Sequence, residues 1–167
     1  MGYSEELKNL EKISSYLSQM GVPSQIKDVD DGEGGAFPVI LCAYRYNNLD
    51  FDVVIQNIGK WIHTKCLVVD IEGLSTPILF HLYKTCLEIN YTLPEVTYSS
   101  YKGNIFIECD SIVDTNFDEF EAEFNSIPDG IEALMDLVNK EKNFTFQSTK
   151  GKAVIHQRKK ESHKATN

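Results

Sequence analysis

The segment from Ser75 to Val138 constrains the fold more than any other part of this 167-residue chain. It predicts a helix, a stop, a tight hairpin and another helix, with almost no residues left over. Ser75 is expected to cap the helix through its hydroxyl, and Pro77 suits the first turn of the helix. Leu93 precedes Pro94, and a residue before proline avoids helical backbone, so the helix is expected to end there.

The hairpin and the closing helix follow directly. Two short strands at 96–99 and 104–110 are predicted to pair. Apolar residues then recur at steps of three and four from Phe117 to Val138, which indicates a helix. Because the sequence at 128–130, Pro-Asp-Gly, is a poor helix former, two interpretations stay open: one kinked helix, or two collinear helices. We favour a break at Ser126 to Pro128.

The first half of the chain supplies the remaining elements of the predicted fold, a first helix and several strands. Residues 4–20 have the apolar spacing of an amphipathic helix. Asn47-Asn48 tolerates positive φ and suits the loop of a hairpin. Strand patterns occur at Ser24–Val29, Val39–Tyr46, Leu49–Ile55 and Trp61–Ile71, of which the first is the weakest. The sequence thus predicts an α+β fold with three helices and an antiparallel sheet, a three- or four-strand meander plus a two-strand hairpin, in the order α-β-β-β-α-β-β-α.

Charge divides the chain into two parts. Residues 140–167 hold eight Lys or Arg and two acidic residues, a net charge of +6, whereas the whole chain carries −9, which leaves −15 for residues 1–139. We predict a single α+β domain over residues 1–142 and a basic, flexible C-terminal tail over residues 143–167. A domain this acidic repels nucleic acid and anionic membranes but attracts a basic partner.

The sequence favours a cytoplasmic protein without a membrane segment. No apolar run approaches 18 residues, and the N-terminus lacks the basic and apolar regions of a secretory signal. Four cysteines lie within apolar runs and form no Cys-x-x-Cys pair, which is typical of buried thiols in a reducing compartment.

No catalytic, metal or cofactor motif stands out. The acidic glycine loop at 28–35 fails the spacing of a calcium loop, because Lys27 and Val29 would occupy ligand positions. The histidines form no metal-binding pair, and no serine lies in a Gly-x-Ser-x-Gly elbow. We therefore predict a protein that is not an enzyme and that has no catalytic residues, no metal site and no cofactor.

Four aromatic residues on strands are the candidate partner-binding residues: Tyr44, Tyr46, Trp61 and Phe106. Trp and Tyr are favoured anchors in protein interfaces, and strand alternation can leave these side chains facing outward. The other interpretation is that helices cover them. In the tail, Arg158, Lys159 and Lys160 are candidates for contact with nucleic acid or an acidic partner, although this segment could equally fold back on the acidic domain.

The element order over residues 4–140 resembles the type III secretion chaperone-like fold, including its YbjN-like branch. The local likeness lies in Leu87–Pro94, in Asn104–Glu108 and in the closing helix from Phe117. The basic tail departs from that pattern. The resemblance implies a homodimer with a non-enzymatic role, in which a partner polypeptide is held through apolar patches and exposed strand edges.

Two functional hypotheses follow. The first is a protein-binding chaperone or adaptor that holds a partner polypeptide through apolar patches of its acidic domain. The alternative is a regulator that contacts nucleic acid or an acidic partner through the basic tail.

Overall fold

The computed structural model describes residues 2–30, 32, 34–140, 144–149 and 152–157. Within these ranges the chain forms three helices and eight strands. In chain order they are α1 (Tyr3–Gln19), β1 (Ser24–Asp30), β2 (Ala36–Tyr46), β3 (Leu49–Ile58), β4 (Trp61–Asp70), α2 (Thr76–Thr92), β5 (Thr97–Tyr101), β6 (Asn104–Ile112), α3 (Phe117–Lys140), β7 (Phe144–Thr149) and β8 (Lys152–Gln157).

Six strands pair antiparallel in the spatial order β1-β2-β3-β4-β6-β5. The α+β prediction is confirmed, and the meander has four strands, because residues 24–30 pair with β2 along their whole length. Asn47 and Asn48 both have positive φ in the two-residue β2–β3 loop, as the hairpin signal predicted.

The last two strands form a hairpin, and β8 lies parallel to β4 where Val154 pairs with Asp70. Both strands lie in the segment for which we predicted a flexible tail. Residues 158–160, which carry the predicted tail contacts, lie outside the described residues. The division into a domain of residues 1–142 and a tail of residues 143–167 stays a prediction.

Strand alternation gives the sheet two different faces. One face carries the buried residues of the strands, such as Phe51, Cys66 and Ile107, and the three helices pack against it. The next residue along each strand points to the opposite face, which we call the open face. From α1, Leu10 and Ile13 are fully buried in the core.

The favoured break in the last helix is wrong: α3 is one helix over 24 residues, with Pro128 inside it. Packing explains the continuity, because Ile127 and Ile131, on either side of the proline, are fully buried. The Ser126 hydroxyl also donates a hydrogen bond to the Glu123 carbonyl, within the turn that precedes the proline. Burial on one continuous stripe therefore outweighs the poor helix propensity of this segment.

Candidate protein-binding surfaces

The outer side of α2 is the most exposed apolar surface among the described residues. The inner side of this helix packs into the core through Ile78, Leu82 and Ile89. On the outer side the exposed fractions are 72% for Phe80, 68% for Leu87 and 90% for Tyr91. A helix that is apolar on both sides is normally covered on both sides, so the outer side has the composition of an interface.

Two connected grooves run over this surface. One, of about 620 Å³, is lined by Phe80, Tyr83, Lys84, Leu87, Glu88, Tyr91 and Thr92. The other, of about 270 Å³, shares Tyr83 and Leu87 and continues to Ser100 of β5 and Ile105 of β6. The Tyr83 hydroxyl and the Ser100 hydroxyl lie 3.2 Å apart and form a hydrogen bond at the junction. We call Phe80, Tyr83, Lys84, Leu87, Glu88 and Tyr91 the α2 face.

The α2 face is electrically neutral, in contrast to the rest of the domain. Lys84 and Glu88 are the only charged residues of this helix, and their Nζ and Oε1 atoms lie 3.6 Å apart. They stand one helical turn apart, so each neutralises the other on the same surface. The domain around them has a net charge of −15 over residues 1–139.

The edge strand next to α2 is partly protected by a side chain. Asn90 accepts a hydrogen bond from the Tyr98 backbone N–H at 2.7 Å and donates one to the Tyr98 carbonyl at 3.3 Å. Its amide thus makes the two hydrogen bonds that a further strand would make at this residue of β5. An added strand would have to displace Asn90, so this edge is closed to strand addition at Tyr98.

A second apolar group lies at one end of the open face. Ile58, Trp61 and Ile112 pair in register across β3, β4 and β6. All three side chains are exposed, and the exposed fraction of Trp61 is 43%. The ammonium group of Lys60 lies 5.3 Å from the centre of the Trp61 ring. We call Ile58, Trp61 and Ile112 the open-face row.

A buried side chain holds the turn that presents this row. Asn57 donates hydrogen bonds from Nδ2 to the carbonyls of Gly59 and Trp61, at 2.8 and 3.0 Å. Its Oδ1 accepts a hydrogen bond from Asn9 of α1 at 2.8 Å. The backbone at Trp61 is therefore tied to the helix layer, and the indole projects from a turn that these hydrogen bonds hold in place.

Charged groups continue the open face beyond the row. His63 Nδ1 lies 2.6 Å from Asp110, and Lys65 Nζ lies 2.6 Å from Oε1 of Glu108. The Ser99 hydroxyl donates to the same Glu108 oxygen at 2.7 Å. Burial alone would raise the pKa of Glu108, but these two hydrogen bonds outweigh it and the pKa lies below the ordinary value.

The four aromatic residues predicted from the sequence lie on two different faces of the sheet. Trp61 and Phe106 are on the open face, where Phe106 is half-buried beneath the Lys65 ammonium, 4.2 Å from the ring centre. Tyr44 and Tyr46 are on the helix side and pack against the core, half-buried. They therefore cannot act as one surface, and a binding role for each of them stays a prediction.

Tyr44 has a structural environment of its own. Its hydroxyl donates a hydrogen bond to Glu132 of α3 at 3.2 Å. Burial, helped by this carboxylate, raises the pKa of Tyr44 to about 12, so the phenol is neutral at physiological pH.

Sequence reasoning missed the exposed residues of α2, namely Phe80, Leu87 and Tyr91. The signal was present, because apolar residues of this helix occupy more of its circumference than one core-facing stripe requires.

Within the described residues, no group of His, Cys, Asp and Glu side chains has the arrangement of a metal site. The four cysteines are free thiols, and burial raises the pKa of Cys42, Cys86 and Cys109 to about 12. Such thiols are poor nucleophiles, because the thiolate is the reactive form. No helix in the described part of the chain is long and apolar enough to cross a membrane.

No family model matches the chain, and no curated protein matches it. Among solved structures, it is similar to a chain of the crystal structure of the ExsC-ExsE complex, with 15% sequence identity and a TM-score of 0.46. The similarity covers 71% of this chain and 84% of that one. Likeness at this level supports no inference, so membership of the secretion chaperone-like group, and of its YbjN-like branch, stays a prediction.

Proposed function

We propose that this protein is a non-enzymatic chaperone or adaptor, which holds a partner polypeptide through an apolar surface of its acidic domain. The observation that carries the proposal is the exposure of two separate apolar surfaces, the α2 face and the open-face row. A soluble monomer rarely leaves large apolar side chains grouped in this way, and such groups mark sites of protein interaction.

The open-face row is the surface that we assign to the partner polypeptide. Trp61 is the most favoured type of interface anchor, and its backbone is held by Asn57. The exposed carboxylate of Asp110 lies on the same face, two residues along β6 from Ile112. The net negative charge of the domain attracts a basic polypeptide from solution, and the open-face row offers a surface to the apolar residues of such a chain.

The test is an affinity capture from native cell extract with the full-length protein, compared with Trp61→Ser. We expect one polypeptide to be captured in near-stoichiometric amount by the wild type and to be lost with Trp61→Ser. The matched control is Tyr101→Ser, which removes another exposed aromatic residue of the sheet at a distant turn. Equal capture by the wild type and Trp61→Ser, or capture of nothing, would contradict the proposal.

A third variant separates this proposal from the tail hypothesis. Replacing Arg158, Lys159 and Lys160 with alanine should leave capture unchanged. If that variant loses its ligand and Trp61→Ser keeps it, the interaction belongs to the basic segment. A ligand of that segment should also bind more weakly as salt is added, with a slope set by the number of phosphate contacts if it is nucleic acid.

A further inference from the structure

The sheet opens between β3 and β4 at the end that lies away from their connecting turn. The two strands pair only as far as Val53 and Cys66. Beyond this pair, residues 49–52 of β3 still pair with β2, and residues 67–70 of β4 still follow β6, but the two segments do not pair with one another. We call the gap between residues 49–52 and residues 67–70 the β3–β4 cleft.

A β-bulge in β4 accounts for this gap. Leu67 pairs with Phe106 of β6. The preceding residue of β6, Ile105, pairs with Val69 instead of Val68, so Val68 is an extra residue of β4. A bulge bends its strand and increases the local twist. Val68 and Val69 are both buried, so the bend is packed against the core and the end of β4 is held away from β3.

The hairpin of β7 and β8 lies at this cleft. The two strands pair with each other along their whole length, and β8 lies beside both β3 and β4. Among the described residues, one backbone pair joins the hairpin to the sheet, Val154 with Asp70, and it is parallel. Parallel pairing is the weaker kind, and a two-stranded hairpin is marginally stable by itself. The hairpin is thus complete within itself and is held to the sheet by little backbone pairing.

Charge attracts the C-terminal segment to the cleft. Residues 142–160 contain six Lys or Arg and no acidic residue. The two sides of the cleft carry Asp52 and Asp70, while a third carboxylate, Asp50, is paired with Arg45 at 2.6 Å. The domain of residues 1–139 has a net charge of −15. A basic segment is therefore favoured at this place over an acidic or neutral one.

The short connection to α3 keeps the hairpin in place. Three residues separate the end of α3 at Lys140 from the start of β7 at Phe144. A segment attached this closely has an effective concentration on the order of mM at its own site. A free strand of equal intrinsic affinity therefore competes poorly with it, and a partner displaces it only by binding the domain more tightly.

We propose that the β3–β4 cleft is a binding site for a basic polypeptide strand, and that the β7–β8 hairpin occupies it as a displaceable intramolecular ligand. The hairpin keeps the cleft closed until a strand of similar charge takes its place. The site is separate from the open-face row, which lies at the opposite end of β3 and β4.

The experiment measures binding of a labelled peptide with the sequence of residues 142–160 to the full-length protein, by fluorescence anisotropy. Val154→Pro removes a backbone N–H from β8 and should release the hairpin. We expect this variant to bind the peptide at least about tenfold more tightly than the wild type, whose cleft is filled. Val154→Ala keeps the backbone N–H and is the matched control, which should bind the peptide as the wild type does.

Two comparisons locate the binding site of the peptide. A scrambled peptide has the same charge without the strand pattern, so it should bind Val154→Pro much more weakly than the native sequence does. Adding Asp52→Lys to Val154→Pro should weaken binding at least about fivefold, because it places a like charge beside the basic strand. Adding Glu11→Lys, the same change of charge at an exposed position of α1, should have little effect.

Hydrogen exchange of the wild type tests whether the hairpin opens without any substitution. The amides of residues 144–149 and 152–157 should exchange through a local opening, well before those of the buried strand β6. Added salt should speed this exchange, because it screens the attraction between the basic segment and the acidic domain.

Four results would overturn the inference: equal binding of the peptide by the wild type and Val154→Pro, no binding by Val154→Pro, equal binding of the scrambled peptide, or hairpin amides that exchange only on global unfolding. A Val154→Pro variant that circular dichroism shows to be unfolded would also overturn it, because the hairpin would then be a required part of the fold. Adding Trp61→Ser to Val154→Pro should leave peptide binding unchanged, so the cleft and the open-face row can fail separately.

Discussion

The Tyr98 hydroxyl of β5 donates a buried hydrogen bond to the carbonyl oxygen of Gly130, in the middle of α3. This hydrogen bond joins β5, which lies at one edge of the sheet, to the helix α3, which packs on the sheet. It is possible because α3 comes very close to the sheet at this point: a Cβ atom on residue 130 would lie 2.0 Å from Cδ1 of Ile107. The glycine that made a helix improbable in the sequence is the residue that the packing requires.

Replacing Gly130 with alanine should therefore destabilise the protein, although alanine is the better helix former. The gain in helix propensity is about 1 kcal/mol, whereas overpacking a close contact costs about 1–3 kcal/mol, and the Ile107 side chain, whose terminal methyl group would have to move, is fully buried. We expect the free energy of unfolding in urea to fall by about 1–2 kcal/mol.

A second substitution identifies the cause. Ile107→Val removes the Cδ1 atom that the new methyl group would meet, and it should cost about 1 kcal/mol by itself. In the double variant the two losses should be less than additive, because the clash is gone. Full additivity, or a stabilised Gly130→Ala, would show that the helix does not depend on this close approach.

The Tyr98 hydroxyl itself can be removed without changing the shape of the core. Tyr98→Phe should lower the free energy of unfolding by about 1–2 kcal/mol, because a buried hydrogen bond is lost. Tyr101→Phe, at an exposed position in the same strand, is the control and should have little effect. An equal loss in the free energy of unfolding for the two variants would mean that the hydrogen bond to Gly130 makes no measurable contribution to stability.

Asn90 should be needed both for stability and for keeping the sheet edge closed. Asn90→Leu removes both hydrogen bonds to the Tyr98 backbone, and we expect a loss of about 1–3 kcal/mol, measured by urea unfolding. The freed edge should also raise the rate of aggregation, measured by light scattering during storage. Glu88→Gln, a change at an exposed position of the same helix, serves as the control for stability. If Asn90→Leu changed neither the free energy of unfolding nor the rate of aggregation, Asn90 would not protect the edge of the sheet.

Glu108 should make stability depend on pH in the acid range. Burial disfavours its charge, but the hydrogen bonds from Lys65 and Ser99 prevail and the pKa in the folded state lies below the ordinary value of about 4.3. The stability that the Glu108 carboxylate contributes is thus fully present above its pKa in the unfolded state. It is lost as the pH falls through the lower pKa of the folded state.

Thermal unfolding of the wild type and of Glu108→Gln at a series of pH values measures this contribution. The difference between the two proteins should be constant from neutral pH down to about 5 and should shrink at lower pH. A difference that stays constant into strongly acidic solution would show that the carboxylate of Glu108 is not stabilised by its partners in the fold.

The sequence by itself determined the element order from α1 to α3 and most element bounds in that part of the chain, but it did not predict β7 and β8. Alternation over residues 49–55, the Asn47-Asn48 loop and the Leu93-Pro94 stop are local signals, because each depends on backbone preferences and on a repeat of two or 3.6 residues. For the same reason the α+β class could be predicted before any tertiary contact was known.

Only the tertiary structure decided the features that depend on contacts between distant residues. The continuity of α3 through Pro128 depends on burial against the sheet, since the local propensity favours a break. The placement of Trp61 and Tyr44 on opposite faces depends on strand register, and the exposure of Phe80, Leu87 and Tyr91 depends on which side of α2 meets the core. A periodic pattern shows that a face is apolar, but only the packed chain shows whether anything covers it.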